Sequence, residues 1–277
     1  MALTGIRAVT LDFGNTLVPI DRTALHDVVT ATAEHVVGPL RLGGAAEFLT
    51  AWAEERDRQF REEVPRFREV NLPQRAARVI ARLRGMGPPD PDVAWDDSTA
   101  SERSSADEIA AIVEAYSAAF VRRIPAPAPS GQVLRELSGR GFIVAILSNW
   151  PLAATIDRFA EAAGWMPDLR AIFVSERIGT IKPHPAIFAY AAAALGVDPA
   201  AILHIGDDWA ADVTGAIGAG WHAGYLIGHQ ADTPFPTSER PPDGRPSVRP
   251  DLELISLGDL GARLDDPPTL RPTGTTP

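Results

Sequence analysis

Residues Ala8-Val9-Thr10-Leu11-Asp12-Phe13-Gly14-Asn15-Thr16-Leu17-Val18, AVTLDFGNTLV, lie close to the start of the 277-residue sequence. A short apolar run leads directly into an aspartate, and a Gly-Asn-Thr turn follows it. A buried strand that ends on a carboxylate reads as a placed nucleophile. The bland alternative is an ordinary turn or N-cap aspartate, for which the residue type is equally suited. What decides between them is whether other strand ends carry matching chemistry.

Further apolar runs at 143–147, 171–174, 202–205, 223–227 and 252–255 join 8–13 as expected strands. Helical patterns at 131–140, 153–163, 186–195 and 212–219 separate most of them. Strand and helix alternating in this way predict an α/β fold, a Rossmann-like doubly wound parallel sheet with its ligand beyond the carboxyl ends of the strands. More than a hundred residues with no strand pattern separate the first two strands, with helical stretches at 22–37, 45–63, 72–84 and 106–122. The reading is therefore a core made of 1–17 and 127–264, with an inserted α-helical cap domain at 18–126. The run Ile124-Pro125-Ala126-Pro127-Ala128-Pro129 reads as a stiff, extended return hinge. Segments 230–250 and 265–277, rich in Pro, Gly, Ser and Thr, read as an irregular loop and a disordered tail.

Composition narrows the function classes. A formal net charge of -10 argues against a nucleic-acid or anionic-membrane surface, both of which need a basic face. Cysteine is absent, which removes disulfides, thiolate zinc sites and a cysteine nucleophile. No run is long enough to span a bilayer and the start of the chain has no apolar signal core, so the expected location is the cytoplasm and the expected partner a small molecule. Among the 26 basic residues Lys182 is the only lysine. Against an arginine background it draws notice.

Chemistry-bearing residues fall where the expected strands end. Asp12 follows the first, Ser148-Asn149 the second, and Lys182 in GTIKPHPAIF comes after the third. Gly206-Asp207-Asp208, with Asp212 further on, follows the fourth in ILHIGDDWAADVTGAIGAGW. Each alone has an ordinary reading: a turn, a surface lysine, acidic residues in a first helical turn. Together, at one edge of a parallel sheet, they make a coherent site. Carboxylates from separate strands suit Mg²⁺, which takes one or two of them with water and phosphate oxygens. A carboxylate not fully committed to the ion can attack phosphorus. A hydroxyl and a fixed ammonium can hold phosphoryl oxygens as charge develops.

In LDFGNTLV, AILSN, SERIGTIKPHPAIF and HIGDDWAADVTGAIGAGW the sequence resembles the haloacid dehalogenase-like (HAD) hydrolase superfamily, in its branch with a helical cap after the first strand. The resemblance implies that Asp12 is the nucleophile, that Ser148 and Lys182 bind the phosphoryl group, and that Asp207 ligates Mg²⁺. It implies a further metal ligand in the Gly14 carbonyl, and metal or lysine support from Asp208 or Asp212. Gly14 departs from the family's phosphatases, which usually carry an acid/base aspartate two residues after the nucleophile. Three readings follow: a phosphatase whose proton donor lies elsewhere or whose substrate needs little help, a 2-haloacid dehalogenase whose halide leaves unprotonated, or a weakly catalytic binding protein. The Gly-Asp-Asp motif, which dehalogenases generally lack, favours the metal-dependent phosphatase.

Beside these motifs, Asn149, Trp150 and Trp209 are expected at the substrate pocket, although either tryptophan equally suits packing against a helix. His184 reads as a loop residue between prolines. Arg56, Arg58, Arg61, Arg66 and Arg68 read first as a solvated face and second as an anion-binding one.

Overall fold

The computed structural model describes residues 2–90, 93–227, 238, 240 and 248–267. Most of the expected irregular segment at 230–250, and the tail from 268 onward, lie outside the described residues. Six strands form one parallel sheet: β1 (Ala8–Leu11), β2 (Ile143–Ser148), β3 (Ala171–Val174), β4 (Ile202–Gly206), β5 (His222–Leu226) and β6 (Leu252–Leu254). Their order across the sheet is β3-β2-β1-β4-β5-β6. β1 is therefore central, and the order reverses beside it, where a doubly wound sheet opens its ligand crevice.

The short apolar runs make strands because both sheet faces are covered. Val9, Leu11, Val144, Ile146, Leu203 and Ile205 belong to one buried cluster, while Ala8, Ala145, Leu147, Ile202 and Ala223 belong to a second. The alternation along each strand is the period-2 rule with apolar residues on both sides, as parallel sheets require.

Between β1 and β2 the chain forms α1 (Arg22–Val36), α2 (Ala45–Glu63), α3 (Leu72–Leu83), the short α4 (Asp97–Ser101) and α5 (Ala106–Arg123). The helix starts are written in the sequence. Asp21 caps α1 and Asn71 caps α3, while Ser105 and Glu108 form a reciprocal capping box on α5. Val28 of α1 and Phe120 of α5 share one continuous buried cluster with Leu11 and Phe13, so the helical insertion is packed directly onto one sheet face. It also reaches the loop after β3: the Phe67 carbonyl accepts from the Ile181 amide at 3.2 Å and from the Thr180 hydroxyl at 3.0 Å.

The remaining helices are α6 (Ala128–Gly139), α7 (Ala153–Ala162), the single turn α8 (Ser175–Ile178), α9 (Pro185–Leu195) and α10 (Gly215–Gly218). Two expectations are corrected here. The extended hinge ends at Pro127, because Ala128 and Pro129 open α6, where a proline at the first turn costs no hydrogen bond. The helix expected over 212–219 starts earlier, as a π-helical turn over Trp209–Thr214 capped by Asp208. Among the described residues no helix is long and apolar enough to cross a membrane.

Candidate active site

Strand register builds the site. Leu11 of β1 lies opposite Ile146 of β2 and Ile205 of β4. Asp12, Ser148 and Asp207 therefore leave the sheet within two residues of one line across three adjacent strands. The Asp12 amide continues the ladder by donating to the Ile205 carbonyl at 2.9 Å, which fixes where its side chain emerges. The turn beyond needs Asn15 at φ 57°, a left-handed conformation that asparagine tolerates. The Asn15 side-chain oxygen accepts from the Ile20 amide at 2.9 Å and so holds the turn.

Lys182 is the hub. It is 2% exposed, and its ammonium donates to Asp12 Oδ1 at 2.8 Å, to the Leu147 carbonyl at 2.8 Å and to Asp212 Oδ1 at 2.6 Å. Three acceptors exhaust the three donors of a lysine. Burial alone would lower its pKa, but the adjacent Asp12 and Asp212 charges outweigh that and raise it, so the ammonium stays charged. Asp212 is the mirror case. Burial would raise its carboxyl, yet Lys182 and the His204 hydrogen bond hold it well below the usual range.

Asp12 is different. Burial pushes its carboxyl up to about 6 despite the Lys182 charge, with the Asp212 charge adding to the rise. The neighbouring Ser148 hydroxyl acts in the opposite sense, favouring the ionised carboxylate. Asp207 is pushed up to about 8 by burial, then by the charges of Asp12 and Asp212, and the Thr16 hydroxyl donates to its Oδ1 at 3.1 Å. Ligand oxygens of Asp12, Asp207 and Asp212 lie within 4.8 Å of one another. Three carboxylates face one ammonium there, a formal deficit of two positive charges.

The consecutive aspartates diverge. Expected as a metal ligand, Asp208 instead has both oxygens committed: Oδ1 accepts from the Ala211 amide at 2.7 Å and the Ser238 hydroxyl at 2.7 Å, and Oδ2 from the Ser238 amide at 2.8 Å. It caps a turn. Asp212 stands closer to the cluster, its Oδ2 accepting from the Asp208 amide at 2.9 Å. That approach explains the glycine of the motif, since a Cβ on Gly206 would sit 2.0 Å from Asp212 Oδ2.

The other expected residues separate cleanly. Asn149 makes a two-way clamp on the Lys182 backbone, donating to its carbonyl at 3.0 Å and accepting from its amide at 2.8 Å, and it also lines the cavity above Asp12. Trp150 lines that cavity while packing edge-on against Phe13 and Phe120 at 5.6 and 5.2 Å. Trp209 does not line it; its ring stands edge-on to Tyr225 at 5.2 Å on the far side of the turn, with the Arg240 guanidinium over it. His184 caps α9 through Nδ1 and packs on Phe67, away from the cavity. Of the five arginines singled out in the sequence only Arg56 reaches the cavity wall. Arg58 is buried on the carbonyls of Pro89, Asp90 and Val93.

Sequence reasoning missed His204, Glu69, Arg75 and Tyr116. His204 is fully buried beneath Lys182: its Nε2 lies 3.1 Å from Asp212 Oδ1 and its Nδ1 2.8 Å from the Thr10 hydroxyl. Burial and then the Lys182 charge lower its pKa, so it is neutral, with Nε2–H donating to Asp212 and Nδ1 accepting from Thr10. A histidine inside the apolar run ILHIG was the available signal. The other three come from the insertion and line the same cavity, whose volume is about 360 Å³.

A protein-family model described as haloacid dehalogenase-like hydrolase matches residues 6–220. The human haloacid dehalogenase-like hydrolase domain-containing protein 3 is 30% identical over 132 residues, 48% of this chain and 49% of that protein. The chain thus spans about half the length of the curated relatives it matches. Among solved structures, the 2-haloacid dehalogenase from Pseudomonas syringae pv. Tomato DC3000 superposes with a TM-score of 0.62 at 19% identity, over 93% of this chain and 97% of that one. An HAD phosphatase from Thermococcus onnurineus superposes with a TM-score of 0.57 at 16% identity, over 95% and 99%. At such identities the likeness concerns the fold.

Proposed function

Since the chain belongs to the haloacid dehalogenase-like hydrolases, we propose that it is a Mg²⁺-dependent phosphatase of the cytoplasm that hydrolyses a small phosphate monoester through an aspartyl-phosphate on Asp12. The observation that carries this reading is the charge deficit around Asp12 and Asp207, two buried carboxylates of which only Asp12 is paired with the lysine. A hard divalent cation fits that all-oxygen donor set, with Asp12, Asp207 and the Gly14 carbonyl as its protein ligands. When bound, magnesium neutralises phosphoryl-oxygen charge in the transition state. Asp212 is left out of this ligand set because Lys182, His204 and the Asp208 amide already occupy its oxygens.

The rest is done by side chains. Lys182 holds Asp12 Oδ1, which leaves the other carboxylate oxygen to attack phosphorus. A P–O bond forms to Asp12 as the ester P–O bond breaks, and water then attacks the acyl phosphate to release inorganic phosphate and restore the carboxylate. Asp212, His204 and Thr10 form a buried brace behind Lys182 that keeps its charge in place without water. Gly14 has no group to protonate the leaving oxygen. Glu69 is the one carboxyl that the insertion brings to the cavity among the described residues, and we assign the missing proton transfer to it. Burial raises its pKa, and its oxygens are held by the Ser175 hydroxyl at 2.5 Å and the Val70 amide at 3.0 Å.

The test is 4-nitrophenyl phosphate with purified protein. Phosphate release that EDTA and Asp12→Asn both abolish is the expected result. A second reading, carbon–halogen hydrolysis through an Asp12 ester, is favoured by Gly14 alone, since halide leaves without a proton. Chloride release from 2-chloropropionate in EDTA, with no phosphate release in Mg²⁺, would overturn the phosphatase.

A further inference from the structure

One strongly polar group at the cavity has nothing to do in the chemistry above. Arg75 on α3 is 4% exposed and lines the cavity, and its Nε donates to Gln59 Oε1 at 3.0 Å. Its Nη2 is closed to solvent and has no hydrogen-bond partner. A buried guanidinium nitrogen left unbonded is costly, because the desolvation of a charged donor is then uncompensated. Burial, the largest influence, lowers the Arg75 pKa to about 10, which leaves it cationic at neutral pH. The neighbouring Glu69 carboxyl, held by Ser175 and Val70, acts on Arg75 through its charge but makes no hydrogen bond to this nitrogen.

The surroundings point the same way. Arg56 on α2 and Tyr116 on α5 line the same cavity, and both interact electrostatically with Arg75. Tyr116 stacks on Trp52 at 5.6 Å, and the Arg75 guanidinium lies over that Trp52 ring at 5.4 Å, so the cation is held in a fixed plane. Burial pushes the Tyr116 hydroxyl up to about 12, so it remains a donor. Two guanidinium groups and a phenol converge here from α2, α3 and α5; Arg56 is paired with Asp57 at 2.8 Å, whereas among the described residues Arg75 makes no ion pair. Phe60, Val64 and Ile181 add apolar surface to the same cavity, which Asp12 also lines.

We propose that Arg75, assisted by Arg56 and Tyr116, is the receptor for a second anionic group on the substrate, a carboxylate, bound in the same cavity as the reacting phosphate. A planar guanidinium fixed by stacking suits a carboxylate, which it can bind through two parallel hydrogen bonds. The substrate class is then a small carboxylated phosphate monoester, and the specificity determinant is Arg75. This proposal rests on the reading of Asp12 as the reacting end, and it has its own test.

The wild-type protein is compared on phenyl phosphate and 3-carboxyphenyl phosphate with Mg²⁺. The expected kcat/KM ratio favours the carboxylated ester about tenfold or more, the value of a charge-assisted hydrogen bond. Arg75→Gln should bring that ratio close to one, with Arg56→Gln lowering it in part; circular dichroism checks that each variant is folded. A wild-type ratio near one, or a ratio unchanged in folded Arg75→Gln, overturns the proposal. If neither ester turns over, the phosphatase reading fails alone, and binding of 3-phenylpropionate by calorimetry decides the subsite. Heat seen with wild type and lost in Arg75→Gln supports it; no binding, or equal binding, refutes it. An aryl bisphosphate preferred over the carboxylated ester would refute the carboxylate in favour of a second phosphate.

Discussion

Magnesium binding should be linked to proton release, with a slope set by Asp207 and Asp12. In the metal-free protein Asp207 is pushed up to about 8 by burial and by its acidic neighbours, against about 3.9 for a free aspartate. An ion binding below pH 8 must therefore displace a proton from Asp207. The apparent affinity should fall about tenfold for each pH unit between 8 and 6. Below about 6, where Asp12 also holds its proton, the fall should steepen to about a hundredfold per unit. Stability follows the same sign. A carboxyl whose pKa is raised in the folded state favours folding while protonated, so the metal-free protein should lose stability as pH climbs from about 4 through 8. Saturating magnesium should remove most of that loss. Asp212, held low by Lys182, acts oppositely: its contribution is present above about pH 4 and is lost in acid. The assay is calorimetric titration of Mg²⁺ at pH 6, 7 and 8 in buffers of different ionisation enthalpy, with thermal melts alongside. Affinity that is flat from pH 6 to 8, or no binding at all, would refute the assignment of these carboxylates to an ion.

Three substitutions extend the reasoning. Glu69→Gln should reduce hydrolysis of alkyl phosphates by about 10²-fold or more while sparing 4-nitrophenyl phosphate, whose leaving group needs little protonation; equal losses on both would remove Glu69 from proton transfer. Lys182→Met leaves Asp12 and Asp212 buried without their counter-charge, and breaking such a pair costs about 3–5 kcal/mol, or roughly 6–20 °C in Tm for a chain of this size. A melt within a degree of wild type would mean the ammonium is not the electrostatic hub. Trp209→Ala should cost about 3–5 kcal/mol through lost packing on Tyr225, with KM unchanged in a steady-state assay; a large KM increase would return Trp209 to the substrate pocket.

The sheet was legible because each strand is a short apolar run buried on both faces, so periodicity and placement agreed, as with residues 171–174, which form β3 over the same span. Where the reading slipped, a local interaction overrode the pattern. The turn after β4 began three residues before its expected start because Asp208 caps it through the Ala211 amide, and a cap that depends partly on Ser238, thirty residues on, has no local signature.

The site divides by the same logic. Asp12, Ser148 and Asp207 were readable because strand register carries them to one edge, while Lys182, in the loop beyond α8, is brought there by the Asn149 clamp on its backbone. Which of two adjacent aspartates faces the nucleophile was not readable, because both follow β4 and the choice turns on what each oxygen finds: Thr16 for Asp207, Ser238 for Asp208. The insertion was least legible of all. Arg75 and Arg78 lie on one helix only three positions apart, in the same basic, alanine-rich sequence. Arg78 is satisfied by Asp97 and Glu62, whereas Arg75 keeps a nitrogen unbonded at the cavity. Both are buried, and only the presence of acidic partners distinguishes them. A sequence shows that a helix is charged. Where ion pairs absorb most of that charge, the residue left over is the one positioned to recognise a ligand, and it is found by pairing off the neighbours in three dimensions.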